Sequence, residues 1–127
     1  MPDHRRPWIR VAAVLGALAV GLGAFGAHGL RAVLDPAALE VWRTAVLYHA
    51  LHTLALLALA LAGDQWWQGA WARRAAVCFT AGVLVFSGSL YLLTLSGARW
   101  LGAVTPLGGL AFIAGWLCLV GVAGRRR

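Results

Sequence analysis

The sequence contains little charge for its length. Only 12% of its 127 residues are Asp, Glu, Lys or Arg, and 61% are hydrophobic, whereas soluble domains carry about 25% charged residues. This scarcity excludes a chain whose whole surface faces water. Lysine is absent, so the formal net charge of +7 comes entirely from arginine, against only four acidic residues.

The positive charge does not indicate a nucleic-acid-binding protein. The arginines stand at the ends of apolar runs and near the termini, not along one continuous face. This placement is typical of interfacial anchors and topology signals in membrane proteins. Cysteine is also scarce: Cys78 and Cys118 both lie inside apolar runs, which excludes a disulfide framework.

Four apolar runs dominate the chain, at residues 9–30, 41–62, 75–95 and 101–123. Each has the length of about 20 residues that crosses a bilayer as a helix. None shows the strict alternation of a barrel strand, so helices are the expected spanning element. The first run is longer than the 7–15 residues of a signal-peptide core. We therefore predict an all-α integral membrane four-helix bundle, with residues 1–127 as a single transmembrane domain.

The distribution of arginine predicts the orientation of the bundle. With four spans, eight arginines share the side of the two termini: Arg5, Arg6, Arg10, Arg73, Arg74, Arg125, Arg126 and Arg127. Three lie on the other side: Arg31, Arg43 and Arg99. The positive-inside rule then places both termini in the cytoplasm. Tryptophans are expected at both interfaces, with Trp8, Trp66, Trp67 and Trp71 marking the inner one and Trp42 and Trp100 the outer one.

The connections between spans are short. Asp35-Pro36 is a helix-start signal, with Asp as the N-cap and Pro at the first helical position. Residues 63–74 (GDQWWQGAWARR) are amphipathic, and we expect them to lie at the inner interface.

Three histidines within or near the spans, His28, His49 and His52, are the most informative residues. Ionisable side chains inside a membrane are costly and often functional. His49 and His52 are three apart and so share a helix face. Imidazole suits metal or haem ligation and proton transfer, but the three supply at most three of about four ligands. The alternative is that they form interhelical hydrogen bonds that fix the packing.

The third run adds the hydroxyl residues Ser87, Ser89, Tyr91 and Thr94. We predict a polar cluster in the outer half of the bundle, as the candidate site for a ligand: His28, Tyr48, His49, His52, Ser87, Ser89 and Tyr91. The alternative is that these hydroxyls bond the preceding turn or a neighbouring helix.

Two further patterns concern the packing and the interface. Glu40 and Arg43, three apart, are expected to pair with each other or with Arg31 at the outer interface. Small residues of the first run (Ala13, Ala17, Gly21 and Ala24) form a stripe that ends at His28. Such a stripe allows close helix contact and predicts that His28 faces protein. Gly108 and Gly115 predict a similar close-contact face on the fourth span.

Four blocks of the chain resemble the motifs of one family of small membrane proteins, domain-of-unknown-function family 423. The blocks are GAFGAHGL at 23–30, YHxxHxLALL at 48–57, FSGSLYLL at 86–93, and TPLGG at 105–109 followed by Gly115-Trp116. The chain is also similar to the eukaryotic family of transmembrane protein 256. The resemblance implies a four-helix protein of the bacterial inner membrane and no established activity.

The leading hypothesis is a non-enzymatic membrane protein that binds a partner or a small ligand through the polar cluster, or supports a membrane complex. No activated nucleophile is visible, and Asp35 and Glu40 are the only outer carboxylates. One alternative is a metal or haem binder using His28, His49 and His52. Another is a small proton-linked transporter. The expected partners are the lipid bilayer and a membrane protein or a second copy; the sequence specifies no cofactor.

Overall fold

The computed structural model of the chain describes residues 3–124, and every regular element within that range is a helix. The elements, in chain order, are α1 (Arg6–His28), α2 (Pro36–Leu61), a 3-10 turn (Asp64–Trp66), α3 (Trp71–Gly82), a π-helical segment (Val83–Ser87), α4 (Gly88–Ser96) and α5 (Leu101–Ala123). The arginines at 125–127, which entered the orientation argument, lie outside the described residues.

Four helices are long and apolar enough to cross a membrane. They are α1, α2, the continuous helix Trp71–Ser96, and α5, with 23 or 26 residues each and mean hydropathy between 1.7 and 2.0. The predicted all-α four-helix architecture is confirmed. The end of the bundle with residues 3–10, 62–74 and 120–124 is called the terminal end. The opposite end, with residues 29–43 and 97–100, is called the far end.

Local signals explain where the helices begin and end. The Asp35 side chain accepts a hydrogen bond from the Ala38 amide at 2.7 Å, and Pro36 is the first residue of α2. This cap satisfies an otherwise unpaired donor of the first turn, so α2 starts five residues before the apolar run. Gly97 adopts φ 71° after α4, a left-handed conformation that only glycine takes without strain.

The helices pack in the order α1, α2, third span, α5. Helix α1 packs mainly on α2, α3 packs mainly on α5, and α2 also contacts the third span. A buried cluster joins all four spans near the terminal end. Its centre is made of small side chains, Ala72, Ala75 and Ala76, together with Phe79, which lets the helices approach closely.

The π-helical segment packs into a notch on α5. A Cβ atom added at Gly108 would lie 2.6 Å from the backbone Cα of Phe86, and one at Gly115 would lie 2.7 Å from the Phe79 ring. Glycine at these positions therefore leaves the room that the widened π turn and the Phe79 ring need. The predicted close-contact face of α5 is present.

The prediction that the small-residue stripe of α1 and His28 face protein was wrong. This stripe, including His28, is exposed, and the buried residues of α1 are Ala12, Leu15, Ala19 and Gly26. The reason is a tryptophan of α2: the Trp42 indole fills the space beside Gly26 and donates from Nε1 to the Leu22 carbonyl at 2.9 Å. This contact fixes the rotation of α1.

The prediction that Trp42 marks the outer interface was also wrong. Trp42 is 1% exposed and packs against the Tyr91 ring, with centroids 4.7 Å apart. Trp100 is 69% exposed at the far end, as an interfacial anchor would be.

At the terminal end, Arg5 ties three segments together. Its guanidinium donates to the Ala62 carbonyl at 2.9 Å, where α2 ends, and pairs with Asp64 and Asp3 at 3.1 Å each. A hydrogen bond from the Arg5 amide, together with the Arg5 charge, holds the pKa of the Asp3 carboxyl below its ordinary value. The network anchors the start of the chain on the α2–α3 connection.

Candidate functional site

His49 lies near the middle of the 26-residue α2 and is 2% exposed. Its Nε2 is 2.9 Å from the Leu15 carbonyl oxygen of α1, and its Nδ1 is 2.9 Å from the Tyr91 hydroxyl of the third span. A carbonyl can only accept, so Nε2 carries the proton. In the neutral ring, Tyr91 then donates to Nδ1. His49 thus joins three helices.

His52, one turn further along α2, is 3% exposed and faces α5. Its Nδ1 is 2.8 Å from the Tyr48 carbonyl oxygen, and Trp116 Nε1 donates to its Nε2 at 3.0 Å. The carbonyl requires the proton on Nδ1, and the indole requires a lone pair on Nε2. The two partners therefore fix His52 as one neutral tautomer.

The three histidines are not brought together. His28 is exposed near the far end of α1, while His49 and His52 face different neighbours. Both nitrogens of each buried ring are already used in hydrogen bonds, which leaves no lone pair directed toward a metal. Within residues 3–124, no group of three or more His, Cys, Asp or Glu side chains is placed to hold a metal ion.

The hydroxyl residues of the predicted cluster also separate. Ser87 is fully buried and donates to the Ala45 carbonyl of α2 at 2.7 Å. Ser89 faces α5 instead, 2.6 Å from the Thr105 hydroxyl. Tyr91 is thus the hydroxyl residue that reaches a histidine. His49 and His52 lie near the middle of α2, about halfway between the two ends of the bundle.

At the far end, Arg43 Nη1 lies 2.7 Å from Glu40 Oε1, and both side chains are exposed. Arg31 is also exposed, and it takes no part in this ion pair. Exposed pairs of this kind contribute little stability, and no hydrogen bond joins this one to His49 or His52.

A groove opens between α2 and α5 beside His52, with a volume of about 710 Å³. We call it the α2–α5 groove; it is lined by Tyr48, Leu51, His52, Phe86, Pro106, Gly109, Leu110, Phe112, Ile113 and Trp116. Its lining on α5 runs from Pro106 to Trp116, about 15 Å at 1.5 Å per residue. The groove is therefore elongated along the helix axis, within the membrane-spanning part of the chain.

Aromatic rings build the walls of this groove. The His52 ring stacks on Phe112 with centroids 3.6 Å apart and planes 12° apart. Tyr48 packs on Phe86 at 4.8 Å and lies nearly parallel to His52 at 6.0 Å. These contacts hold several flat faces in fixed positions, as ligand pockets require. Tyr48 itself remains 39% exposed.

Sequence reasoning missed Trp116 and Phe112 as parts of the site. Trp116 lies well inside an apolar run, although tryptophan is enriched at membrane interfaces. A tryptophan at that position was the available signal, because an indole N–H inside an apolar span needs an acceptor. Phe112 gave no comparable signal, since a phenylalanine in a span is ordinary.

The fold and the apolar surface define a polytopic helical membrane protein, with buried hydrogen-bonded histidines and a groove between two of its spans. The chain belongs to the family described as "Protein of unknown function (DUF423)", whose model matches residues 22–109. This confirms the resemblance read from the sequence blocks.

Curated relatives carry names of the same kind. The chain is 45% identical over 116 residues to the UPF0382 membrane protein YwdK of Bacillus subtilis, covering 88% of this chain and 94% of the relative. It is 44% identical over 117 residues to the UPF0382 inner membrane protein YgdD of Escherichia coli K12, covering 91% and 88%. No solved structure matches the chain.

Proposed function

We propose that this protein is a non-enzymatic multi-pass protein of the bacterial inner membrane that binds a small lipophilic ligand in the α2–α5 groove. The observation that carries the proposal is the groove itself, a cavity of about 710 Å³ with aromatic walls inside the membrane-spanning region. The inner-membrane location follows the name of the Escherichia coli relative. The arginine distribution supports cytoplasmic termini.

The size and shape of the groove favour a small ligand over a partner helix. Ligand pockets in proteins usually have volumes of 300–1,000 Å³ and mostly apolar walls. Helix partners in membranes instead dock on faces of small residues. The groove is lined by large rings, and Gly109 leaves room beside Phe86. A ligand would enter from the bilayer, because the walls lie between two spans.

The polar groups of the groove indicate which hydrogen bonds such a ligand can make. Among the lining side chains, the His52 nitrogens and the Trp116 N–H are already paired. The Tyr48 hydroxyl takes no part in these bonds, so it is the polar side-chain group of the lining that can bind a ligand. We therefore expect an elongated apolar molecule with a flat or ring-like part and one hydrogen-bonding group. His49 and Ser87, on other faces, hold the helices that frame the groove.

The test is the lipid content of the purified protein. Wild type is extracted from bacterial membranes in mild detergent, and the bound lipophilic compounds are identified by organic extraction and mass spectrometry. The blocking variant is Gly109→Leu, since a Cβ atom at this position meets Phe86 at an ordinary 3.9 Å and the added side chain occupies the groove. The matched control is Gly102→Leu, on the same helix, where nothing lies within 4 Å.

One lipophilic species should accompany wild type and Gly102→Leu in a near-constant molar ratio and be several-fold depleted in Gly109→Leu. The proposal fails if all three proteins carry the same mixture of bulk phospholipids.

A further inference from the structure

Charge is distributed unequally between the two ends of the bundle. Among the described residues, five arginines and two aspartates lie at the terminal end. At the far end, three arginines stand against one aspartate and one glutamate. Five positive against two negative charges leave the terminal end more positive than the far end, where the numbers are three and two.

The acidic residues of the terminal end are both engaged by one arginine. Asp3 and Asp64 each lie 3.1 Å from the Arg5 guanidinium, which is also the best shielded, at 25% exposure. Arg6 is 77% exposed and only 3.8 Å from Asp3 at its nearest approach. Arg10 and Arg73 are exposed and belong to none of the ion pairs found in residues 3–124.

Two of these arginines stand where a helix begins. Arg6 stands in the first turn of α1 and Arg73 in the first turn of α3, and neither turn contains an acidic residue or a side-chain cap. The positive end of a helix dipole favours anions and disfavours cations. Cations placed there raise the local positive potential and attract a negative partner.

The surroundings favour a lipid headgroup as that partner. The same end carries tryptophans that anchor proteins at the headgroup level, and the Arg74 guanidinium lies 5.0 Å from the Trp71 ring. Guanidinium groups bind phosphate oxygens in a bidentate manner. An anionic phospholipid supplies a phosphate at this depth and an acyl chain beside the spans.

We propose that the terminal end is a binding surface for anionic phospholipid headgroups, formed by Arg6, Arg10, Arg73 and Arg74. Zwitterionic lipids carry a choline or ethanolamine that cancels the phosphate charge, so the surface discriminates against them. The proposal is independent of the α2–α5 groove, which lies deeper between α2 and α5.

The test uses the full-length protein in detergent micelles, titrated separately with phosphatidylglycerol and phosphatidylcholine and measured by native mass spectrometry. The variant Arg10→Gln/Arg73→Gln removes two charges from the surface. The control Arg31→Gln/Arg99→Gln removes two exposed charges from the far end, so the net charge of the two variants is equal. Thermal unfolding of both variants checks that they are folded.

Wild type and the far-end variant should retain phosphatidylglycerol in preference to phosphatidylcholine. The Arg10→Gln/Arg73→Gln variant should lose affinity for phosphatidylglycerol roughly 25-fold, since about 1 kcal/mol per basic residue corresponds to about fivefold each. Higher salt should reduce the difference. Equal losses in the two variants would show a net-charge effect only and overturn the proposal, as would equal retention of both lipids by wild type.

Discussion

Replacing Trp116 by phenylalanine removes one hydrogen bond from the wall of the groove and keeps an aromatic ring. Trp116 Nε1 donates to His52 Nε2 at 3.0 Å, and the indole also packs edge-on against Phe79 at 5.2 Å. A phenyl ring can keep much of the Phe79 contact. It leaves His52, which is 3% exposed, with a buried acceptor that has lost its donor.

The size of the effect follows from two bounds. An unsatisfied buried polar group costs about 1–3 kcal/mol in soluble proteins. Hydrogen bonds between membrane helices average about 0.6 kcal/mol and reach about 1.7, because the unfolded chain in the membrane finds other partners. We therefore expect Trp116→Phe to lower the free energy of unfolding by about 1 kcal/mol.

The assay is reversible unfolding in mixed micelles, with increasing sodium dodecyl sulfate. A double-mutant cycle with His52→Phe isolates the bond from the change in ring size. Trp100→Phe serves as the control for the loss of an indole, because Trp100 is 69% exposed. The His52–Trp116 coupling should be about 1 kcal/mol, and Trp100→Phe should be close to neutral.

The reasoning is refuted if the coupling energy in the cycle is zero within error while both single variants remain folded. That result would mean that Trp116 does not hold His52 through this hydrogen bond.

Two further outcomes follow from the packing and from the terminal network. Gly108→Ala should destabilise the bundle by about 1–3 kcal/mol through overpacking, because its Cβ atom would meet the Phe86 backbone. Gly109→Ala, at the neighbouring position, should be tolerated. The free energies of unfolding of the two variants are compared in mixed micelles. Since Arg5 holds the pKa of Asp3 below its ordinary value, the ionised carboxylate stabilises the fold above about pH 4, and this stability is lost as pH falls through the lowered pKa. Asp3→Asn should therefore lower the thermal midpoint at pH 7, as measured by scanning fluorimetry. It should have no effect at a pH low enough to protonate the wild-type carboxyl. An equal loss at pH 7 and at this low pH would contradict the assignment of the effect to the Asp3 carboxylate.

The sequence was sufficient to predict four long apolar helices and one helix start. Apolar length and the absence of alternation require helices in a membrane, because each backbone group must be paired within its own segment. Asp35-Pro36 predicted the beginning of a helix, and α2 begins there. These features depend on local chemistry and on the bilayer, both of which can be read from the chain.

The rotation of α1 could not be predicted in the same way. Helix α1 is oriented by Trp42 and His49, which donate to the carbonyls of Leu22 and Leu15. Every residue has a carbonyl, so the acceptor leaves no trace in the sequence. The small-residue stripe was therefore assigned to the wrong face. For the same reason the pattern of three histidines suggested one cluster, while His49 and His52 turn to different neighbours.

Photo-crosslinking in native membranes tests the central claim, a ligand in the α2–α5 groove, most directly. A photoreactive amino acid is placed at Leu110, which lines the groove, or at Leu107, which is equally exposed at 62% on the same helix but does not line it. Irradiation and intact-mass analysis should show one discrete lipophilic adduct at position 110, and the bulk lipid mixture at position 107. The same phospholipid mixture at both positions would contradict the account.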